Sequence, residues 1–297
     1  MNKVFIIGGN GQVGYCLKQQ TEVLNMPAFV TTRDMLDVTD YEQLKKLVAT
    51  EKPSVLINAS AYTNVEQAED DYEKAYEVNC VAVGNMAKVA HELHIPLIHI
   101  STDYVFDGTC DRIYTEDKPT NPINAYGKSK LLGENAVIEN HDQYVILRTS
   151  WVFGQHGKNF VKTMMRLFGS KDSLKVVDDQ IGGPTFAGDI AKAILDIVDY
   201  LHKNPEKQPW GIYNFSGFPN VTWCTFTKNI YAVALEKKLV DKYIKIEPVA
   251  TEFYPTKAKR PKNSQLSMKK IKDVFDMDPS DWSRELKYNL EKYCEQE

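Results

Sequence analysis

The stretch Lys3-Val-Phe-Ile-Ile-Gly-Gly-Asn-Gly-Gln-Val-Gly14 decides the fold. Its first part, Lys3 to Ile7, is a β-branched and aromatic run that reads as a short buried strand. It passes into Gly8-Gly-Asn-Gly11-Gln-Val-Gly14, and a helical pattern follows over about 12–23. The glycines fit Gly-x-x-Gly-x-x-Gly from Gly8 and also Gly-x-Gly-x-x-Gly from Gly9. Both spacings describe a strand-to-helix turn whose bare backbone lets a pyrophosphate reach a helix N-terminus. The reading is a dinucleotide site on Gly8, Asn10, Gly11, Gln12, Val13 and Gly14.

Strand and helix signals then alternate. Strands are expected over 28–32, 55–58, 97–100 and 144–148, and helices over 41–50, 72–93 and 125–139, with Asp40 capping the first of these helices. Continuous apolar strands separated by helices predict an α/β fold, a Rossmann-type doubly wound parallel sheet covered on both faces. Ligands in such sheets lie beyond the carboxyl ends of the strands, which directs attention to 8–14, 58–62, 101–104 and 149–151. Past residue 150 the pattern loosens, with strands over 174–177 and 212–215, a helix over 186–202, and many later prolines and aromatics. The expected organisation is a NAD(P)-binding domain over 1–150 plus about 172–217. A smaller C-terminal α/β substrate lobe takes about 151–171 and 218–297.

Composition narrows the function. The 297 residues are 43% hydrophobic and 26% charged, as in a soluble globular protein, and the net charge of −4 argues against a nucleic-acid surface. No apolar run approaches the about 18 residues that a membrane helix needs, and the opening apolar run is too short for a signal peptide. Cysteines 16, 80, 110, 224 and 294 are odd in number and never spaced as Cys-x-x-Cys, which suits reduced thiols in the cytoplasm.

Tyr126 and Lys130, in Asn124-Ala-Tyr-Gly-Lys-Ser-Lys130, stand four residues apart, so on a helix they share a face. A phenol of pKa about 10 is a sluggish proton donor at neutral pH. An ammonium ~4 Å away contributes roughly 4 kcal/mol at an effective dielectric of 20, enough to draw that pKa down by two or three units. The expectation is a phenol acidified by its lysine.

Ser101-Thr-Asp-Tyr-Val-Phe-Asp-Gly108, followed by Tyr126-Gly-Lys-Ser-Lys130, resembles the extended short-chain dehydrogenase/reductases, and within them the dTDP-4-dehydrorhamnose reductase family. Leu36-Asp-Val-Thr-Asp40, Asn58-Ala-Ser-Ala-Tyr-Thr63, Arg148-Thr-Ser-Trp-Val-Phe-Gly154, Gly157-Lys-Asn-Phe-Val161 and Arg260-Pro-Lys-Asn-Ser264 match the same family, so the similarity spans almost the whole chain. The resemblance implies reduction of a 4-keto group on a nucleotide-activated 6-deoxyhexose, dTDP-4-dehydro-L-rhamnose becoming dTDP-L-rhamnose. Tyr126 is then the proton donor, Lys130 holds its pKa down and bonds the nicotinamide ribose, and Thr102 bonds the carbonyl with Ser101 beside it.

Further cofactor candidates are Arg33, Asp37, Val38, Ala59, Ser60, Ala61, Tyr62, Asn79 and Ser101. Arg33 and Asp34 share the window that selects between the two dinucleotides, and the reading favours NADPH with NADH accepted. The substrate candidates beside Thr102 are Asp103, Tyr104, Trp151 as a wall for the sugar, and Asn159 and Arg260 for nucleotide or diphosphate oxygens. Tyr104 stands where the 4,6-dehydratases of the superfamily carry a second carboxylate, which argues against water elimination. Some family members hold magnesium through glutamates at a subunit interface. Cys16 and Gly188 fall at two of those positions, so no metal is expected there, and the chain is expected as a monomer or a homodimer. The alternatives are a reductase or epimerase for another 4-keto sugar nucleotide, and a non-catalytic NADP-binding subunit like that of methionine adenosyltransferase.

Overall fold

The computed structural model describes residues 3–294. The first half alternates as the sequence predicts: β1 (Val4–Ile7), α1 (Gln12–Val23), β2 (Ala28–Thr31), α2 (Tyr41–Glu51), β3 (Val55–Asn58), α3 (Tyr72–Tyr76), α4 (Ala82–Glu92), β4 (Leu97–Thr102), α5 (Ala125–Asn140) and β5 (Tyr144–Thr149). Asp40 caps α2 by accepting from Gln43 N. The second half adds β6 (Val152–Phe153), α6 (Phe160–Ser170), β7 (Ser173–Val177), β8 (Ile181–Gly182), β9 (Thr185–Phe186), α7 (Ala187–Lys203), β10 (Gly211–Asn214), β11 (Val221–Thr222), α8 (Trp223–Glu236), β12 (Lys245–Val249), β13 (Asn263–Ser264), α9 (Lys269–Phe275) and α10 (Trp282–Asn289).

The large sheet has six strands in the order β10-β5-β4-β3-β1-β2, every pair parallel. β1 and β3 are buried on both faces, which explains why they are apolar without alternation. One core, with Leu17, Ile190 and Ile194, fills the α1–α7 side; another, with Leu44, Val83 and Met86, fills the opposite side. Ile7 pairs with Thr31 and with Asn58, and Thr102 with Thr149, so the strands end together along one edge where the site forms.

Two expectations are corrected. The helix expected over 72–93 is broken by a π-helical turn, Glu77–Val81. The wider turn carries Asn79 inward against α5, where a Cβ on Gly133 would lie 2.0 Å from the Asn79 carbonyl oxygen. The strand expected over 174–177 does not join the dinucleotide domain. As β7 it pairs with β12, because its residues alternate between exposed and covered and it has no two-sided apolar character to offer a central position. Segment 173–186 therefore belongs to the smaller lobe, while β10 and α7 complete the larger one. The lobe has its own aromatic core around Phe153, Phe168, Phe226 and Trp282.

Candidate active site

The glycine turn is sterically compulsory. Gly8 adopts a φ of +91°, and a Cβ there would lie 2.7 Å from Ser60 N. A Cβ on Gly14 would lie 2.1 Å from the Gly8 carbonyl, so α1 can start this close to β1 only with glycine. Gly11 caps α1 without a side chain, leaving the backbone N–H groups of Gln12, Val13 and Gly14 directed past the strand ends. Asn10 is exposed, and its carbonyl accepts from His156 Nε2 at 3.1 Å. The His156 ring stacks on Tyr15 at 4.3 Å. Sequence reading missed His156, although Gly157, at a φ of +74°, marks the turn that brings it over the loop.

Ala59, Ser60, Ala61 and Tyr62 follow β3 as half-buried residues, with Ala59 N on the Ile7 carbonyl at 2.9 Å. Tyr62 packs with Ala68, Ala75, Ala125 and Tyr126. Arg33 is exposed two residues beyond β2. Asp37 accepts from the Thr39 backbone and hydroxyl, which hold its carboxyl below the usual range, and Val38 packs beside the second core.

Tyr126 enters at the first turn of α5, which is held on three sides. Asn124 caps Gly127 N at 2.7 Å and donates to the Lys259 carbonyl at 2.8 Å, and Glu69 accepts from Ala125 N at 2.8 Å. Gly127 lets the helix touch the turn after β4, since a Cβ there would lie 2.2 Å from the Tyr104 carbonyl. The Tyr104 and Tyr126 rings meet edge-on at 5.8 Å.

The expected acidified phenol is corrected. Tyr126 is pushed above its ordinary pKa, chiefly by desolvation and further by Asp103 and Tyr104, while the Thr102 hydroxyl opposes the shift. Lys130 is 1% exposed, and burial draws its pKa down to about 8. Its Nζ donates to the Ile100 carbonyl at 2.8 Å and lies 3.3 Å from His99 Nε2. His99 Nδ1 in turn meets Asn58 Nδ2 at 3.0 Å, and Asn58 Oδ1 accepts from Ser60 N and Oγ. The lysine is thus wired to the strand ends, not to the phenol: the Ile100 carbonyl accepts from it and the His99 ring lies against it. Asn58 opens the stretch 58–62 that the sequence marked, but His99 was not singled out; its signal is polarity inside an otherwise apolar strand.

Three further candidates are corrected. Ser101 and Thr102 alternate across β4, so the Ser101 hydroxyl turns inward and donates to Glu134 at 2.5 Å, beside the buried Arg148–Glu134 pair at 2.7 Å. Asn79 spends its amide on the Tyr62 backbone in both directions and on Ser129 Oγ, so it shapes the Tyr62 loop from behind. Asn159 caps α6 through Lys162 N and donates to the Gly154 carbonyl at 2.6 Å and to Gln12 Oε1 at 3.2 Å, joining the small lobe to the glycine turn.

On the substrate side, Thr102 Oγ1 donates to Asp103 Oδ1 at 3.0 Å and accepts from Tyr104 N. Asp103 is buried, which raises its carboxyl to about 6; Ser264 favours the charged form, yet Oδ2 completes no hydrogen bond. Burial raises Tyr104. Arg260 donates to Glu66 Oε1 at 2.9 Å, and Glu66 also takes Lys257 N and Ala258 N; Lys257 itself pairs with Asp70. Much of the basic stretch is thereby matched internally, but Arg260 Nε stays buried without a partner. Trp151 sits at a φ of +47° and stacks on Trp223 with ring centroids 3.4 Å apart. Trp223, absent from the sequence candidates, is fixed by its indole N–H on Gln180 Oε1. Near the position considered for magnesium, burial lifts the Cys16 thiol to about 11, and Glu285 and Asp189 add to the shift. The sequence reading, which aligned Gly188 there, missed those two carboxylates.

The turn, the helix-borne phenol and the lysine behind it place the molecule among the extended short-chain dehydrogenase/reductases. A family model described as the RmlD substrate binding domain matches residues 1–295. The chain is similar to the dTDP-4-dehydrorhamnose reductase of Aggregatibacter actinomycetemcomitans, 41% identical over 297 residues, 99% of this chain and 100% of that one. The Bacillus anthracis dTDP-4-dehydrorhamnose reductase, solved in complex with NADP, superposes with a TM-score of 0.87 at 34% identity, covering 96% of this chain and 97% of that one. The Clostridium acetobutylicum orthologue gives 0.89 at 35% identity, covering 97% and 98%. The chain belongs to the dTDP-4-dehydrorhamnose reductase family.

Proposed function

We propose that the chain reduces the 4-keto group of a nucleotide-activated 6-deoxyhexose, converting dTDP-4-dehydro-L-rhamnose to dTDP-L-rhamnose with NADPH. The observation that carries this reading is the placement of the Tyr126 phenol against the Thr102 hydroxyl at the carboxyl end of β4. Residues 8–14 fit a dinucleotide: the turn accepts no side chain at Gly8 or Gly14, and the uncapped start of α1 offers N–H donors to a pyrophosphate. Arg33, exposed beyond β2, suits a 2′-phosphate, whereas Asp37 is occupied by Thr39. When bound, the nicotinamide supplies hydride to C4 of the sugar.

The chain's own residues handle the oxygen. Alkoxide character develops there, and Tyr126 hands over its proton while the Thr102 hydroxyl donates to the same atom. Lys130 supplies positive charge behind the phenol. Trp151 and Trp223 give the sugar an aromatic wall, and Arg260 offers its unpartnered Nε to a phosphoryl oxygen. Cysteines without disulfides among the described residues fit a reducing compartment such as the cytoplasm.

The test mixes purified protein, NADPH and enzymatically prepared dTDP-4-dehydrorhamnose and follows the nicotinamide absorbance. Tyr126→Phe should lose at least about 100-fold in turnover, the typical worth of a general acid, while still binding NADPH. Tight NADPH binding with no oxidation by any 4-keto sugar nucleotide would instead support a non-catalytic NADP-binding subunit.

A further inference from the structure

The amino ends of β4 and β5 lie on the edge of the sheet away from the glycine turn and Tyr126. There His91 occupies the last turn of α4, and His141 closes α5 by donating its N–H to the Val137 carbonyl. Asp142 follows. One potential ligand atom from each of these three residues lies within 4.8 Å of the other two. The two imidazole rings stand edge-on, 5.9 Å apart at 82°. Asp142 Oδ1 is 3.6 Å from His141 Nδ1, too far for a hydrogen bond.

His141 is the anchor. Its residue is 4% exposed. Nε2 lies 3.0 Å from the Ile95 carbonyl oxygen, which can only accept, so the ring hydrogen sits on Nε2 and the lone pair on Nδ1. That lone pair is buried and has no hydrogen-bond partner; the Gln143 main chain, although near enough to bear on the ring, completes none. An unsatisfied buried acceptor is costly, and this one points toward a second imidazole and a carboxylate. Metal-bound histidines commonly fix their second nitrogen on a carbonyl in this way.

We propose that His91, His141 and Asp142 bind one divalent transition-metal ion of the zinc class. Two imidazoles and one carboxylate suit Zn2+ and disfavour Mg2+ or Ca2+, which prefer all-oxygen shells. Tetrahedral ligands at zinc distances of about 2.0–2.1 Å stand about 3.4 Å from one another, so the exposed His91 and Asp142 side chains close onto the fixed His141. A water completes the shell. The ion ties the end of α4 to the turn between α5 and β5. Six residues of β4, about 20 Å, separate it from Thr102, so it acts as a staple outside the chemistry. It is distinct from the Cys16 neighbourhood, where the sequence argued against magnesium.

The experiment titrates Zn2+ into chelator-treated full-length protein by calorimetry, and Co2+ by visible absorption, under reducing conditions. One equivalent should bind per chain and raise the unfolding temperature, with turnover unchanged. His91→Ala and Asp142→Asn, both exposed changes, should each weaken Zn2+ binding by at least about tenfold and leave the metal-free unfolding temperature where it was. No saturable binding at tens of micromolar Zn2+, or wild-type affinity in His91→Ala, overturns the proposal.

Discussion

Lys130 Nζ lies 3.3 Å from His99 Nε2, and the hydrogen-bond chain behind that ring determines which proton faces the lysine. Asn58 Oδ1 accepts from the Ser60 backbone N–H, so its amide nitrogen must be the atom at His99 Nδ1. Nδ1 is then an acceptor, and the hydrogen of the neutral ring sits on Nε2. An ammonium has no lone pair to receive it. The contact is satisfied only when Lys130 is an amine, and burial draws the lysine the same way, to about 8. Around pH 8 the lysine is therefore divided between its two forms.

A basic limb in kcat/KM follows. Ketone reduction gains from positive charge behind the phenol, so kcat/KM should fall as pH rises through about 8. In His99→Gln the side-chain oxygen can accept from the ammonium. The limb should then move up by about one pH unit, the worth of one charge-assisted hydrogen bond. A profile that stays where it was would show that His99 does not govern the lysine.

The same burial has a stability signature. The folded pKa of Lys130, about 8, lies below the unfolded 10.5, so between those values the unfolded chain binds more protons and stability rises with pH. That lowering corresponds to a cost of about 3 kcal/mol, fully present below pH 8. Lys130→Met removes that cost and loses two contacts worth about 1 kcal/mol each. Urea unfolding should find the variant about 1 kcal/mol more stable than the parent at pH 7 and less stable at pH 10. Equal differences at both pH values would refute the argument.

Arg260 tests the substrate side. Its buried Nε lacks a partner, and Glu66 balances the charge without reaching that atom. If a phosphoryl oxygen takes it, Arg260→Met should raise the sugar-nucleotide KM by about 10–100-fold with kcat little changed. Steady-state kinetics with saturating NADPH separate the two. A loss confined to kcat would instead place Arg260 near the reacting carbonyl.

The larger lobe was legible because its strands are apolar on both faces and its turns carry glycines that nothing else replaces; β3 and the start of α5 fell at the expected residues. The smaller lobe was not, because β6, β8, β9, β11 and β13 are two residues each and leave no periodicity to read. Within the site, spacing identified the Tyr126–Lys130 pair but not what each touches. Ser101, Asn79 and Asn159 are polar residues at plausible positions whose hydrogen bonds go to the scaffold, and only the pleat of β4, the π turn and the α6 cap reveal that. His99 was hidden for the opposite reason: it sits inside a strand, where polarity reads as noise until the third dimension connects it to Asn58 and Lys130.

Gly182 offers a change that reaches the sugar wall without touching its polar groups. A Cβ at Gly182 would lie 2.6 Å from Trp151 Cε2. The indole is held, because Trp223 stacks on it with ring centroids 3.4 Å apart, and Trp223 is itself packed by Phe160 at 4.4 Å. Gly182→Ala must therefore push Trp151 out of the stack or shift β8, at a cost typical of overpacking, about 1–3 kcal/mol. Spent on substrate contact, that range corresponds to a rise in sugar-nucleotide KM of about 5- to 150-fold. NADPH affinity should not change, since the glycine turn lies in the other lobe. Fluorescence titration with NADPH and kinetics with the sugar nucleotide give the two numbers. A variant that loses both affinities together would mean that the tryptophan stack supports the whole cleft and does not specifically wall the sugar.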